Sequence, residues 1–244
     1  MNGVPKILEW KESWELLMSG DMSLSRIGDG EFMIASGSSD VVFQKRDAEL
    51  ADGIRRALSE PNERCLVGIN RAIFVDGPCV TPSARRYWRE IRQSDGGRIA
   101  AMCSLPRYVD AAMTIPRKMN SLTPEGEWIP FWRHIRAWFG SMRLLLVSGK
   151  SDANLAFWRG FRDLDYIEAP SADAWLHRDG LVDEIRSRGR GRTVVMQIGP
   201  VATVLAWRLS REMRCLDLGH LSAEFAHWAS GKTPVEGWKE FFSK

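Results

Sequence analysis

The sequence predicts an α/β fold, a mostly parallel sheet with helices on both faces and Rossmann-like in type. Short β-rich runs alternate with amphipathic segments from one end of the chain to the other, and several of those runs are apolar on both faces. Strands that read this way are buried on both sides, as in a parallel sheet covered by helices. The chain also shows no internal repeat at solenoid spacing and no low-complexity block, which removes the main competing architectures. With 244 residues and 44% hydrophobic composition, it can bury a substantial core, and residues 1–244 are expected to form one domain.

The expected strands, in order, are Ser23 to Ile27, Cys65 to Ile69, Ile99 to Cys103, Arg143 to Ser148, Tyr166 to Ala169, Thr193 to Ile198 and Cys215 to Leu218. Between the first two, Leu50, Ile54 and Leu58 fall on one stripe of the Arg46 to Ser59 segment, so that segment is expected to be a surface helix. Thr81-Pro82 has the form of an N-cap followed by proline at the first helical position, opening a helix towards Gln93. From Leu105 to Gly140, four prolines and a crowd of aromatics fit either a lid-like insertion or a helical layer whose tryptophans fill the core.

Charge and cysteine usage narrow the function classes. A formal net charge of +3, with 27% charged residues, gives no strong drive towards polyanions, so a nucleic-acid partner is not expected. Most of the cations are arginine, whose guanidinium suits phosphate and carboxylate ligands as well as surface ion pairs. Cys65, Cys79, Cys103 and Cys215 form no CxxC or Cys/His cluster, so neither structural zinc nor a disulfide framework is expected. The N-terminus lacks a basic start followed by an apolar stretch, and no run approaches a membrane span, so the expected location is the cytoplasm.

Three segments could carry chemistry. In Arg26-Ile27-Gly28-Asp29-Gly30-Glu31, two glycines allow a tight turn after a strand, bringing two carboxylates to the carboxyl end of the sheet where α/β folds bind ligands. Carboxylates two positions apart can chelate a hard divalent cation, Mn2+ or Mg2+, which in turn neutralises a diphosphate. A turn in which Asp29 simply caps the next helix explains the same residues. The second segment, Ile198-Gly199-Pro200-Val201-Ala202-Thr203, opens an apolar helix whose free N–H groups and Thr203 hydroxyl suit a nucleotide phosphate. Neither GxGxxG nor a Walker loop is present. The third, Cys215 to Glu224, sets His220 one helical turn before Glu224, which could pair an imidazole with a carboxylate for proton transfer or metal binding. A hydrogen-bonded structural histidine is the plain alternative.

Taken in order, these segments resemble the bacterial glycosyltransferases of the GT-D fold, a family first catalogued as a domain of unknown function and found in glycosylation of serine-rich repeat adhesins. Arg26 to Glu31 is similar to its [RF]xGDGE turn with the DxE hallmark, and Phe43-Gln44 to its FQ stretch. Ser104 to Tyr108 looks like its SRPY segment in altered order. Leu144 to Gly149 resembles its VEG strand, Ala169 to Trp175 its PSxNAF segment, Ile198 to Ala206 its GPTATVLA helix start, and Asp217 to Phe225 its DxGHxxxEY. The chain departs from the pattern at Ser148, where the family has glutamate, and in Lys150 to Phe157, a shortened loop that keeps mainly Asn154.

The resemblance implies a GT-D-type sheet and transfer of a sugar from a nucleotide diphosphate sugar, UDP-glucose first among donors, to a hydroxyl of a glycan, glycoprotein or glycolipid. It implies a divalent metal at Asp29 and Glu31, donor contacts at Arg26, Gly28, Gly30, Asn154, Gly199, Pro200, Ala202 and Thr203, and catalytic roles for Asp29, Glu31, His220 and Glu224, with His220 or Glu224 as base. Two rival classes remain: a Rossmann-like methyltransferase, and a catalytically silent sugar-nucleotide binding protein.

Overall fold

The computed structural model describes residues 5–38, 40–76, 82–119 and 124–232. Cys79 and Thr81 lie outside those residues; Cys65, Cys103 and Cys215 are buried free thiols.

Seven strands, all paired in parallel, make one sheet: β1 (Ser23–Ile27), β2 (Cys65–Ile69), β3 (Val109–Asp110), β4 (Leu144–Ser148), β5 (Leu164–Glu168), β6 (Thr193–Gln197) and β7 (Cys215–Asp217), in the order β3-β2-β1-β7-β6-β4-β5. The register is continuous where strands are long. Ser23 to Ile27 pair one for one with Cys65 to Ile69, and Leu144 to Ser148 pair with neighbours on both sides. Alternate residues feed opposite cores, as the period of two requires. Leu145 and Val147 join one cluster while Leu144 and Leu146 join the other.

The first core is covered by α2 (Asp29–Ser36), α3 (Ala48–Ser59), α4 (Pro82–Met102), α8 (Arg178–Arg188) and α9 (Pro200–Leu209). The second lies under α1 (Trp10–Met18), α6 (Trp128–Gly140) and α10 (Leu221–Ala229). Two short helices, α5 (Pro116–Met119) and α7 (Asp152–Ala156), complete the chain near the strand ends. The Leu105 to Gly140 region resolves in favour of the helical layer. Trp128, Trp132, Ile135 and Phe139 lie on one buried face of α6, and Pro130 sits in its first turn, where a missing N–H costs nothing.

One expected strand is corrected. Ile99 to Met102 is the last turn of α4 rather than a strand. A short apolar run reads alike in either conformation, but Ala84, Trp88 and Ile99 all enter the same core from this helix. The sheet edge is instead β3, whose two residues are too few to leave a pattern. The expected Arg46 to Ser59 helix is α3, capped by Asp47, whose carboxylate accepts the N–H groups of Glu49 and Leu50. No helix among the described residues is long and apolar enough to cross a membrane.

α3 and α9 meet at close range because position 53 has no side chain. A Cβ there would lie 2.7 Å from Val204 Cγ1. Alanine is ordinarily the better helix former by about 1 kcal/mol. Gly53→Ala is nevertheless expected to destabilise the fold by about 1–3 kcal/mol through overpacking, and Gly53→Ala with Val204→Ala should recover most of the loss. Urea unfolding checks both; a stabilised single variant would contradict the packing argument.

Candidate active site

The residues following all seven strands converge on one cavity of about 1050 Å³, open at the carboxyl ends of the sheet. This is where open α/β sheets bind ligands. β1 contributes the turn into α2, β7 contributes Asp217 to His220, and β4 and β6 contribute Gly149 and Gln197 to Gly199.

The floor is a buried ion pair. Arg26, near the end of β1, points a guanidinium N–H at Asp217 Oδ1 3.4 Å away, and its Nε donates to the Asp217 carbonyl at 3.0 Å. Its Nη1 donates to the Ala111 carbonyl at 2.9 Å. Asp217 also receives the backbone N–H groups of Arg26 and Gly219. Burial raises the Asp217 carboxyl above its ordinary range, while Arg26 and the hydrogen bonds pull it back. Gly219 has φ +45°, and any Cβ there would overlap the Arg26 guanidinium. The chain therefore requires glycine at this point.

Asp29 and Glu31 occupy the first turn of α2. Glu31 folds back so that its Oε2 accepts the Gly28 N–H at 2.7 Å, and Tyr87 on α4 donates its hydroxyl to Asp29 Oδ2. Burial, followed by the negative charges of Asp217 and Asp29, pushes the Glu31 carboxyl up to about 7. On the same wall Lys118 of α5 is lowered from its usual value by burial, against the pull of Asp29 and Glu224. His220, the residue before α10, is pushed down to about 3 by burial and then by Arg26, Lys118 and His227. Its imidazole is therefore neutral at physiological pH.

The residues expected from sequence separate into two groups. Arg26, Gly28, Asp29, Gly30, Glu31, Asn154, Gly199 and His220 line the cavity, with Asn154 Nδ2 donating to the Gly149 carbonyl at 3.0 Å. Pro200, Ala202, Thr203 and Glu224 are buried behind its wall. Ala202 faces the core. The Thr203 hydroxyl lies 2.7 Å from the Arg26 carbonyl and 3.3 Å from Asp217 Oδ2, so it ties α9 to the floor instead of meeting a ligand. Glu224 is 1% exposed and accepts the Lys118 backbone N–H at 3.0 Å. It holds the Lys118 segment in place and does not line the cavity. Phe43 packs close to the start of α9: Gly199 has φ +60°, and a Cβ there would stand 2.5 Å from the Phe43 ring. Sequence reasoning missed Tyr87 and Lys118, which sit on helices far along the chain and face the cavity only through tertiary packing.

The donor set fits a hard divalent cation shared with a substrate. Among the described residues no three His, Cys, Asp or Glu side chains gather into a metal cage. Asp29 and Glu31 nevertheless present two carboxylates to the cavity, and Glu31, raised first by burial and then by the charges of Asp217 and Asp29, is a group whose ionised form a cation would favour. Magnesium-type ions are commonly held by one or two carboxylates with substrate phosphates and water completing the shell.

The raised Glu31 carboxyl also makes stability depend on pH. The folded protein holds this proton more tightly than the unfolded chain, so the favourable contribution is complete below the ordinary 4.5 and is lost as pH rises through about 7. In chelator, Glu31→Gln should melt above wild type by ~3 °C or more at about pH 8, with the advantage gone near 4.5. A constant difference across that range in thermal melts would contradict the assignment.

Comparison with known proteins agrees with this geometry. Residues 24–236 match the family described as glycosyltransferase GT-D fold. A probable glycosyl transferase, Gly, of Streptococcus gordonii is 24% identical over 231 residues, 92% of this chain and 33% of that protein. The glycosyltransferase GlyD of Streptococcus pneumoniae serotype 4 is 24% identical over 230 residues, 92% of this chain and 28% of that protein. The chain thus spans about a third of the length of these relatives. A solved structure described as a new glycosyltransferase from Streptococcus sanguinis superposes with a TM-score of 0.86 at 22% identity, covering 94% of this chain and 87% of that one. Another, described as a domain with a distinct glycosyltransferase fold, gives 0.85 at 21% identity, covering 94% and 83%. With the matched segment covering most of its length, this chain belongs to the GT-D fold glycosyltransferase family.

Proposed function

We propose that this protein transfers a sugar from a nucleotide diphosphate sugar to a hydroxyl of a glycan, glycoprotein or glycolipid acceptor, with UDP-glucose as the donor and Mn2+ or Mg2+ held at Asp29 and Glu31. The observation that carries this reading is the meeting of carboxylates and cations on one cavity wall at the strand ends: Asp29, Glu31 and Asp217 alongside Arg26 and Lys118. Such a wall can hold a cation and a diphosphate side by side.

Sugar transfer leaves negative charge on the departing diphosphate, so catalysis needs positive charge fixed in advance where it develops. Arg26 is held in place by Asp217 and the Ala111 carbonyl, and Lys118 by the bond from its own backbone to Glu224. Both side chains line the cavity and would meet the diphosphate without rearranging. When bound, a divalent cation adds further charge neutralisation at the phosphates. Glu31, pushed up to about 7, is balanced between holding a proton and facing a cation, so cation binding should release a proton.

His220 supports the acceptor side of the reaction. Its neutral imidazole can accept a hydrogen bond from an acceptor hydroxyl, but a group pushed down to about 3 is a weak base. Besides burial, the charges of Arg26 and Lys118 hold it down. A diphosphate arriving beside those two cations offsets their effect and strengthens the base when the donor is in place. Glu224, buried behind the wall, supports Lys118 by accepting its backbone N–H.

Asp29→Asn tests the reading directly. Asparagine keeps the size of aspartate and can still accept a hydrogen bond from the Tyr87 hydroxyl, so the variant should fold normally. Release of UDP from UDP-glucose should nonetheless fall by roughly a hundredfold or more, the scale of losing a group that organises charge at the reacting centre. Wild-type turnover in a folded Asp29→Asn protein would remove Asp29 from the mechanism and leave it as a first-turn residue of α2 bonded to Tyr87.

A further inference from the structure

Among the described residues six large hydrophobic side chains are exposed, and three of them line this cavity: Val42 at 98%, Phe43 at 37% and Tyr87 at 38%. Leaving apolar surface in water is unfavourable, and its concentration at the mouth of a cavity marks a binding surface. Deeper in the cavity Gly149 and Gln197 are buried and Asn154 is half-buried. The Gln197 amide is held by Trp158 and the Gly219 carbonyl, and the close, ordered backbone there suits the directed hydrogen bonds of a nucleoside.

Resting on the glycosyltransferase reading, we infer that the rim of Val42, Phe43 and Tyr87 is the acceptor subsite and takes the apolar face of a pyranose ring. Two features favour a sugar over a lipid chain. The axial C–H bonds of a pyranose form a flat apolar face that covers an aromatic ring, while its equatorial hydroxyls need acceptors at the edge. Asp29 and Asp40 line the cavity together with the Tyr87 ring and supply those acceptors. The Tyr87 hydroxyl is spent on Asp29, so a sugar stacked on the ring would lie beside the carboxylate of the reacting centre. Exposure fixes the direction of approach: an acceptor carried on a macromolecule must enter from the open rim, whereas a donor is small enough to be enclosed.

The test uses calorimetry on the intact protein with two kinds of probe: UDP, and the methyl β-glycosides of glucose, galactose and N-acetylglucosamine, each with and without UDP. At least one glycoside should bind. Tyr87→Ala should weaken it roughly tenfold, the scale of losing one aromatic contact, while Tyr87→Trp retains it. Val42→Asp provides a second variant, safe for folding because Val42 is almost fully exposed, and it should also weaken the glycoside. In both weakened variants the loss for the glycoside should exceed the loss for UDP by about fivefold or more. A greater loss for UDP would make this the nucleoside wall and overturn the assignment. So would wild-type protein that binds none of the three glycosides, or that binds octyl β-glucoside but no methyl glycoside. Glycoside binding that depends on Tyr87 in a protein with no affinity for UDP would keep the subsite and sink the donor reading instead.

Discussion

The buried pair of Arg26 and Asp217 is the constraint on which the site depends. Two charges removed from water are tolerated only when each is hydrogen-bonded on several sides, and removing one partner leaves the other stranded. Here the backbone of β1, the start of the α10 loop and the Ala111 carbonyl all supply those bonds. Because the partners come from β1, β7 and the segment after β3, satisfying the pair fixes the relative position of three strand ends. Thr203 adds α9 to the same junction through its hydroxyl, and Gly219 is forced by the room the guanidinium occupies. The carboxylate turn at Asp29 and the histidine turn at His220 are then carried into one cavity as a consequence of folding.

Electrostatic crowding follows from the same arrangement. Burial, then the charges of Asp217 and Asp29, raises Glu31, and burial, then the charges of Arg26 and Lys118, depresses His220. Neither perturbation helps the protein fold at neutral pH. The Glu31 carboxyl near 7 ionises only against burial and neighbouring negative charge, and the His220 imidazole near 3 stays neutral. A ligand that brings positive charge to the acids and negative charge beside the cations therefore favours the ionised carboxylate and a more basic imidazole. A metal-bound diphosphate has that distribution.

The parts of this arrangement legible in the sequence are those encoded locally. β1, β2, β4, β6 and β7 announced themselves as short apolar runs with turns behind them. The Gly28 to Glu31 turn was visible as two glycines and paired carboxylates after a strand, a pattern that a helix cap explains equally well and that the family motifs single out. The GT-D-type sheet with helices on both faces followed from that alternation together with the family motifs. What escaped was tertiary in origin. Ile99 to Met102 looked like a strand because four apolar residues carry no period, and β3 was too short to register. Thr203 was expected to meet a phosphate, but its side chain turns inward to the floor, and of the helix start only Gly199 lines the cavity, with Phe43 packed close to it. Glu224 shares a helical turn with His220 as its spacing implied, yet its carboxylate points to the Lys118 backbone. Tyr87 and Lys118 could not be singled out, since nothing near them in the chain distinguishes them from solvated residues.

The central claim is that metal and nucleotide share one site built on Asp29 and Glu31, and the most direct measurement is their mutual effect on binding. Titrating UDP by calorimetry with and without Mn2+, and Mn2+ with and without UDP, should show each strengthening the other by the same factor, about tenfold or more, as linkage requires. That coupling should vanish in Asp29→Asn. UDP binding of equal strength with and without Mn2+, or coupling that survives in a folded Asp29→Asn protein, would contradict the account.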